Sequence, residues 1–296
     1  MIQENSQNVQ FKIEGPSFEN GIPLLDVTFA LQEFQWILDK SYLIKTNQSK
    51  MGSNEREKFN VVATEFRKGS FIADLQLVLL IASPYAITLH NFSVKELWEI
   101  SKSTFDYLCA VYKMRSSGVE PEIIVSGDNS GVIINGNNGT IEVHQTVYQA
   151  AEKAEPHYRK LVSIIKKEKI ESISALDDNN NGFVLTSKER ELFNPKTQIE
   201  NDLITLDVDI FRYDKDSNTG KLRVNNGAII PSGEYAFKPL KHDPIPFILS
   251  MARPPVTVSA HKEIEKHGSG ITRISKLHIV SIEKMELDKK QTSFML

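Results

Sequence analysis

The chain has 296 residues, of which 40% are hydrophobic and 25% are charged, and its formal net charge at pH 7 is −3. This length allows two domains and a sizeable core. The weak negative charge excludes a global basic field that would collect nucleic acid. Cys109 is the only cysteine, which excludes an internal disulfide framework and a cysteine-rich zinc site and is typical of a reducing cytosol.

Two segments bear on membrane contact. Residues 1–8 are polar and lack the apolar core of a secretory signal. The most apolar run, residues 77–82, is far shorter than the roughly 20 residues that a transmembrane helix needs. We therefore expect a cytoplasmic protein that makes no contact with a membrane.

Residues 1–118 predict an α+β module with an antiparallel sheet and packed helices. Alternating apolar residues indicate an opening strand near residue 9 and two longer strands, one of which follows a turn at Gly69. One helix is predicted over residues 27–44, and Ser93 and Glu96 form a capping box that begins another. The polar residues 46–57 are predicted to form a mobile loop.

Several aromatic residues and the cysteine in these helices allow two interpretations. Trp98, Phe105 and Tyr112 recur every seven residues, which favours a place in the core over a docking face. Trp36 either covers the margin of the first helix's apolar stripe or reaches a partner. Cys109 is expected to be an inert apolar filler, since no activating base is evident.

Residues 119–145 are rich in glycine and asparagine and predict a β connector. Short apolar runs between Asn-Gly pairs indicate a tight hairpin, with residues 132–134 against 140–143. The same pattern also suits a rung that pairs between copies of the chain, because asparagine ladders and open strand edges repeat from copy to copy. In that case the interface comprises Val132, Ile134, Asn135, Asn138, Ile141 and Val143.

Residues 146–198 predict a helical segment that Pro156 breaks or restarts. Its second helix is expected to run from residue 158 to 169 and to carry a basic outer face. A charged face is usually only solvated, and the alternative is contact with an acidic partner or with phosphates. The residues of this face are Arg159, Lys160, Lys166, Lys167 and Lys169.

Residues 199–296 predict a small β-barrel or sandwich of the SH3-like or OB-like kind. Short strand patterns, including one at 228–230, alternate with Gly, Pro, Asn and Asp residues. Such modules bind single-stranded nucleic acid, peptides or no ligand, so the fold class does not choose a function.

Two polar loops resemble incomplete calcium sites. Asp177, Asn179 and Asn181 match the first half of a calcium loop, but Lys188 occupies the position where a closing carboxylate is needed. Asp214 and Asp216 form a second partial match that is better explained as a hairpin loop. We therefore expect no metal and no cofactor, and we leave open a metal site at these five residues.

The remaining patterns predict no catalytic centre. Asp207 and Asp209 share a strand face and would suit a divalent metal in a hydrolase, but no basic general acid accompanies them. Four histidines lie in the last module without metal-ligand spacing: His242, His261, His267 and His278. No phosphate-binding loop, dinucleotide fingerprint or nucleophile elbow is present.

The arrangement resembles a group of uncharacterised bacterial proteins. The resemblance lies in the Gly69-Ser70-Phe71 turn between long strands, the Asn/Gly stretch before a helix, and a β-rich end that contains His261 and residues 274–282. It implies an accessory or sensing component, in some cases encoded beside mobile elements or antiviral defence genes.

These patterns lead to three expectations about function. The first is a non-enzymatic binding or adaptor protein that associates with itself through the Gly/Asn-rich stretch, or with another protein. The second is an accessory protein that binds nucleic acid through its β module and basic helix, although the net charge lends no support. The third is a metal-dependent hydrolase.

Overall fold

The computed structural model divides the chain into two compact units, residues 1–195 with 268–271 and residues 196–267 with 272–296. The described residues contain three sheets and six α-helices, which confirms the predicted mixture of α and β structure. The structure describes residues 3–19, 21–67, 70–81, 92–127, 132–135, 139–194, 197–252, 255–268 and 272–284.

Helices and strands alternate irregularly along the first unit. Its helices are α1 (Leu24–Lys45), α2 (Ser53–Lys58), α3 (Val94–Ser116), α4 (Gln145–Ser163) and α5 (Ser187–Leu192). Its strands are β1 (Gln3–Glu14), β2 (Phe59–Arg67), β3 (Phe71–Ile81), β4 (Glu122–Ser126), β5 (Val132–Asn135), β6 (Thr140–His144), β7 (Ser172–Asp177) and β8 (Gly182–Leu185).

A five-stranded antiparallel sheet forms the base of this unit, in the order β2-β3-β1-β7-β8. The alternation predicted for β1 and β3 is present: Val9, Phe11 and Ile13 are buried, while the residues between them are more exposed. One face of the sheet therefore belongs to the core, as the sequence pattern predicts. Gly69, the predicted turn residue, lies outside the described residues.

The helices α1, α3 and α4 complete this core. Ser93 and Glu96 form the predicted capping box at the start of α3, and Thr186 and Glu189 form another at α5. Trp98 and Tyr112 are almost fully buried, so the aromatic row belongs to the core. These side chains pack between helices and sheet, where their large apolar surface is removed from water.

Two local predictions in the first unit are wrong. Residues 53–58 form the helix α2 instead of a loop, because its residues pair ionically with the neighbouring structure, as Arg56 does with Asp39. Helix α4 continues through Pro156, since buried residues on both sides of the proline hold the helix in place. Tertiary packing overrides local preference in both cases.

The described part of the second unit contains five strands and one helix. These are β9 (Thr197–Asp214), β10 (Thr219–Val224), β11 (Gly233–Pro239), α6 (Ile245–Ala252), β12 (Val256–Lys266) and β13 (Thr272–Lys284). Residues 228–230 form a turn instead of the predicted strand.

The five strands of this unit pair in a closed ring, in the order β10-β11-β13-β12-β9 and back to β10. Every neighbouring pair is antiparallel except β11 and β13, which are parallel. Alternate residues such as Leu222, Val224 and Phe237 fill the interior of the ring. Each strand of the ring therefore has two partners, although residues 197–207 of β9 pair with β12 alone.

Helix α6 packs against this ring through Phe247. The phenyl ring of Phe247 stacks on the Tyr213 ring, with centroids 5.1 Å apart, and on the Phe237 ring, with centroids 5.5 Å apart. Three stacked aromatic rings thus join the helix to β9 and β11, and they exclude water from this part of the interior.

Candidate functional sites

The outer face of β9, β10 and β11 carries a strip of cationic residues with one aromatic ring. Lys221 and Arg223 lie outward on β10 because Leu222 and Val224 between them are buried inside the ring. Their pairing partners in neighbouring strands include Arg212, which lies opposite Lys221. We call this surface the basic strip: Phe211, Arg212, Lys221, Arg223 and Lys238.

A β-bulge places Phe211 on this strip. Lys221 pairs with Arg212 but Leu222 pairs with Ile210, so Phe211 is the extra residue of β9. A bulge breaks the two-residue alternation and redirects a side chain. As a result the Phe211 ring is 39% exposed, although Ile210 beside it is buried.

The charges of the basic strip are only partly balanced. The Arg223 guanidinium donates to Glu234 at 2.9 Å and lies 5.4 Å from the centroid of Phe211. Lys221 and Lys238 are exposed and make no ion pair with any described residue. The strip therefore presents available cations beside an accessible aromatic face.

The Gly/Asn-rich stretch forms part of a three-stranded sheet, in the order β4-β6-β5. The predicted hairpin is present: β5 and β6 are antiparallel, with Val132 opposite Val143 and Ile134 opposite Ile141. The parallel partner β4 on the other side of β6 was not predicted from the sequence.

This arrangement corrects the predicted interface. Ile141 and Val143 are fully buried on the central strand, so they are inaccessible to another chain. Val132 is partly buried against the core. Asn138 and the side chain of Asn135 lie outside the described residues. Among the described residues of the predicted interface, Ile134 is the accessible one, with 51% of its surface exposed.

The accessible apolar residues of this sheet lie on its two edge strands. Ile133 and Ile134 on β5 are 54% and 51% exposed, and Ile124 and Val125 on β4 are 46% and 45% exposed. Strand β5 contains no charged residue, whereas β4 begins with Glu122. Edge strands are usually protected by charge or by bulges, and β5 has no such charge.

The structure separates the predicted basic face into two parts. Helix α4 ends at Ser163, so only Arg159 and Lys160 lie on it. Lys166, Lys167 and Lys169 lie in the turn that follows, because Lys166 and Ile170 pair in a tight bridge. A single basic helix face is therefore absent, and Arg190 of α5, which the sequence pattern did not single out, joins Arg159 and Lys160 around a groove.

Lys160 belongs to a buried charge cluster between α1 and α4. Glu33, which is 1% exposed, accepts from Lys160 Nζ at 3.3 Å and contacts His157 Nδ1 at 2.7 Å. Burial lowers the pKa of His157, an effect that Glu33 opposes. Trp36 packs against both residues, with its ring 5.2 Å from His157 and 5.3 Å from the Lys160 ammonium. Trp36 is therefore part of the packing between two helices of this unit.

The first calcium-like loop is a turn whose aspartate is already engaged. Asp177 Oδ1 accepts the backbone N–H groups of Asn179 and Asn181, each at 2.9 Å. Its Oδ2 accepts from Trp98 Nε1 at 3.3 Å. The carboxylate thereby caps the β7–β8 turn and fixes it to α3, which accounts for the Asp/Asn pattern without a metal.

The second calcium-like loop is the β9–β10 turn. Asp214 Oδ1 accepts backbone N–H groups from Asp216 at 2.9 Å and Ser217 at 3.4 Å. These hydrogen bonds lower the pKa of Asp214, and the bond from the Asp216 N–H has the largest effect. Asp207 accepts from Thr257 on β12. Within the described ranges, no three His, Cys, Asp or Glu side chains converge as metal ligands would.

Two histidines of the second unit have separate partners. His278 Nε2 contacts Glu263 at 2.6 Å, and this bond lowers the pKa of Glu263. His261 Nδ1 contacts the backbone oxygen of Asp202 at 3.3 Å.

In the first unit, burial raises the pKa of Cys109 to about 12, which disfavours the thiolate that a nucleophile requires.

A comparison with known protein families, curated proteins and solved structures gives no match to this chain. In the part of the chain that the structure describes, no helix has both the length and the apolar character that a membrane crossing requires.

Proposed function

We propose that the second unit is a barrel of the OB type that binds single-stranded nucleic acid on its basic strip. The order of its strands carries this proposal. Counted along the chain, the ring runs first, second, third, fifth, fourth, with the third and fifth strands parallel and a helix between the third and fourth. This is the arrangement of an OB-type barrel.

The location of the basic strip supports the proposal. OB-type barrels bind oligonucleotides on the face of their second and third strands and on adjoining loops. In this chain those strands are β10 and β11, which carry Lys221, Arg223 and Lys238. The net charge of the whole chain is negative, and Asp209 and Glu234 lie opposite Arg223, so the unbalanced positive charge of this face comes from Arg212, Lys221 and Lys238.

The residues of the strip have the two chemical properties that single strands require. Lysine and arginine side chains neutralise backbone phosphates and release counterions. An exposed aromatic ring stacks on a base whatever the sequence, and arginine adds a cation–π contribution. Phe211 and Arg223 supply this pair.

Fluorescence anisotropy with a labelled single strand of about 15 nucleotides tests the proposal on the full chain. We expect the double variant Lys221→Glu with Lys238→Glu to weaken binding at low salt by about 100-fold, because two phosphate contacts become repulsive. The matched control is Lys167→Glu with Lys169→Glu, which reverses two exposed lysines in the first unit. Equal losses in both variants would refute a specific role for the strip.

We propose as a second function that the chain associates with itself through β5. The supporting observation is an uncharged edge strand with two exposed isoleucines, Ile133 and Ile134. In a two-fold antiparallel pair each strand meets its own copy, so a charge on the two-fold axis would face the same charge of the copy. Strand β5 avoids this repulsion, and its pairing would join two three-stranded sheets into one.

Light scattering of the full chain tests this second function. We expect a dimer in the native chain and a monomer in Ile133→Lys, because the lysine puts one positive charge from each copy into a short apolar contact. The control is Val184→Lys, which places the same charge on the edge strand β8, where Val184 is 45% exposed. A monomeric mass for the native chain at micromolar concentration would contradict self-association.

A further inference from the structure

A groove of about 730 Å³ lies between the C-terminal half of α4 and α5. We infer that it is a binding site for a small phosphorylated ligand of the nucleotide class. The inference is independent of the basic strip, since the residues that line the groove belong to the first unit. Its volume lies within the range of small-molecule sites in proteins.

The charge of the groove indicates an anionic ligand. Three cationic side chains line it, Arg159 and Lys160 from α4 and Arg190 from α5. Among the described residues that line the groove, Glu191 alone carries a negative charge. Arginine and lysine are the side chains that bind phosphate by charge-assisted hydrogen bonds.

Lys160 is held in position before any ligand arrives. Its ammonium lies 3.3 Å from the buried carboxylate of Glu33 and 5.3 Å from the Trp36 ring, while its side chain remains 51% exposed. A side chain that is already ordered loses less conformational freedom when it binds. Glu33 offsets part of this charge, so Arg159 and Arg190 must contribute to holding a phosphate group.

The groove offers little apolar surface, because Val162 and Phe193 are each 2% exposed and Pro156 is its accessible apolar residue. The exposed hydroxyls of Ser163 and Ser187 and the amide of Asn194 add neutral hydrogen-bonding groups. Inorganic phosphate would use only the cationic side. A nucleotide also carries sugar hydroxyls and a base with polar edges, which can form hydrogen bonds to these neutral groups, and this is why we assign this class.

One competing explanation needs only the helix itself. Cationic residues near a helix C-terminus compensate the negative end of its dipole, and α4 ends at Ser163. That explanation covers Lys160, which lies in the last turn of α4, and Arg190, which lies in the last turn of α5. It does not cover Arg159, and it gives no reason for cations of two helices to line one groove.

Calorimetric titration of the full chain with ATP tests the inference, with pyrophosphate and a single-stranded oligonucleotide as further probes. We expect ATP to bind more tightly than pyrophosphate, and Arg190→Ala to weaken ATP binding by about tenfold, because one charged hydrogen-bond donor is lost. The matched control is Lys188→Ala, which removes an exposed charge from α5 that does not line the groove. This control should bind ATP like the native chain.

Trp36 supplies a second readout at the site. The chain has two tryptophans, and Trp98 is fully buried. The Lys160 ammonium lies beside the Trp36 ring, so a phosphate that binds Lys160 should change the fluorescence of Trp36. We expect this change to disappear in Trp36→Phe while calorimetric binding of ATP persists. A fluorescence change that survives in Trp36→Phe would place the ligand elsewhere and contradict the assignment.

Two results would overturn the inference. The first is no binding of ATP or pyrophosphate at millimolar concentration, which would mean that the cations only compensate the helix dipoles. The second is ATP binding that Arg190→Ala leaves intact but that Lys221→Glu with Lys238→Glu abolishes. That second result would assign the phosphates to the basic strip and would leave the proposed nucleic-acid function standing.

Discussion

The ring of the second unit and the three-stranded sheet of the first unit treat their strand edges in opposite ways. In the ring every strand has two partners, whereas β4 and β5 of the sheet each have one. A closed ring can bind a ligand only through its outer face, its ends or its loops. An open sheet can also extend itself by adding a strand.

The side chains of the two regions differ in the same sense. The ring carries its cations, Lys221 and Lys238 among them, on an outer face. The sheet exposes Ile133 and Ile134 on a strand without charge. The comparison teaches that one chain contains a surface suited to a charged polymer and an edge suited to an apolar strand.

The largest expected effect is on the stability of the ring. Phe237 is fully buried and stacks on Phe247, so Phe237→Ala should cost about 3–5 kcal/mol of unfolding free energy. Urea denaturation followed by circular dichroism measures this loss. Ile134→Ala on the open sheet removes a half-exposed side chain and should cost less than about 1 kcal/mol. Equal losses would contradict the contrast between closed core and open edge.

The next effect is on base stacking. We expect Phe211→Ala to weaken binding of a single strand by about tenfold, since stacking of one base contributes about 1–3 kcal/mol. Anisotropy with the same labelled oligonucleotide gives the dissociation constant. The control is Phe66→Ala, which removes an aromatic ring that is 60% exposed on β2. An unchanged affinity in Phe211→Ala would show that the Phe211 ring takes no part in binding.

A smaller effect of opposite sign is expected at Glu234. This carboxylate holds Arg223 at 2.9 Å and competes with a phosphate for it. Glu234→Gln should therefore tighten binding of a single strand by about threefold, because an exposed ion pair contributes less than about 1 kcal/mol. The gain should vanish when Arg223→Gln is added. A weaker affinity in Glu234→Gln would contradict the assigned role of Arg223.

The smallest expected effect separates the two edges of the sheet. The Val125→Lys variant on β4 should have the same dimeric mass in solution as the native chain, because self-association is assigned to β5. Light scattering beside Ile133→Lys makes the test direct, since both side chains are about half exposed. A monomer in Val125→Lys and a dimer in Ile133→Lys would move the contact to β4.

Sequence patterns predicted the elements whose signals are local. The capping box at Ser93 and the alternation in β1 and β3 each lie within a few residues, and each marks a real element. Helix α6 was missed because its short run of apolar residues lies among prolines. Strand β4 was missed because it depends on a parallel partner, which no local turn indicates.

The candidate sites were harder to predict because they combine distant residues. Arg190 lies 30 positions from Lys160 in sequence, and only the packing of α5 against α4 brings both to one groove. Phe211 reaches the basic strip through a bulge, which breaks the pattern that sequence reading relies on. A signal for Lys221 and Arg223 did exist, since they alternate with buried Leu222 and Val224.

The most direct test of the central claim is the salt dependence of single-strand binding by the full chain. The account predicts measurable affinity at low ionic strength and a linear fall of log K with log salt, with a slope of about −0.7 for each phosphate contacted. The slope should shrink in Lys221→Glu with Lys238→Glu. Absent binding at low salt, or an affinity that salt does not change, would contradict the account.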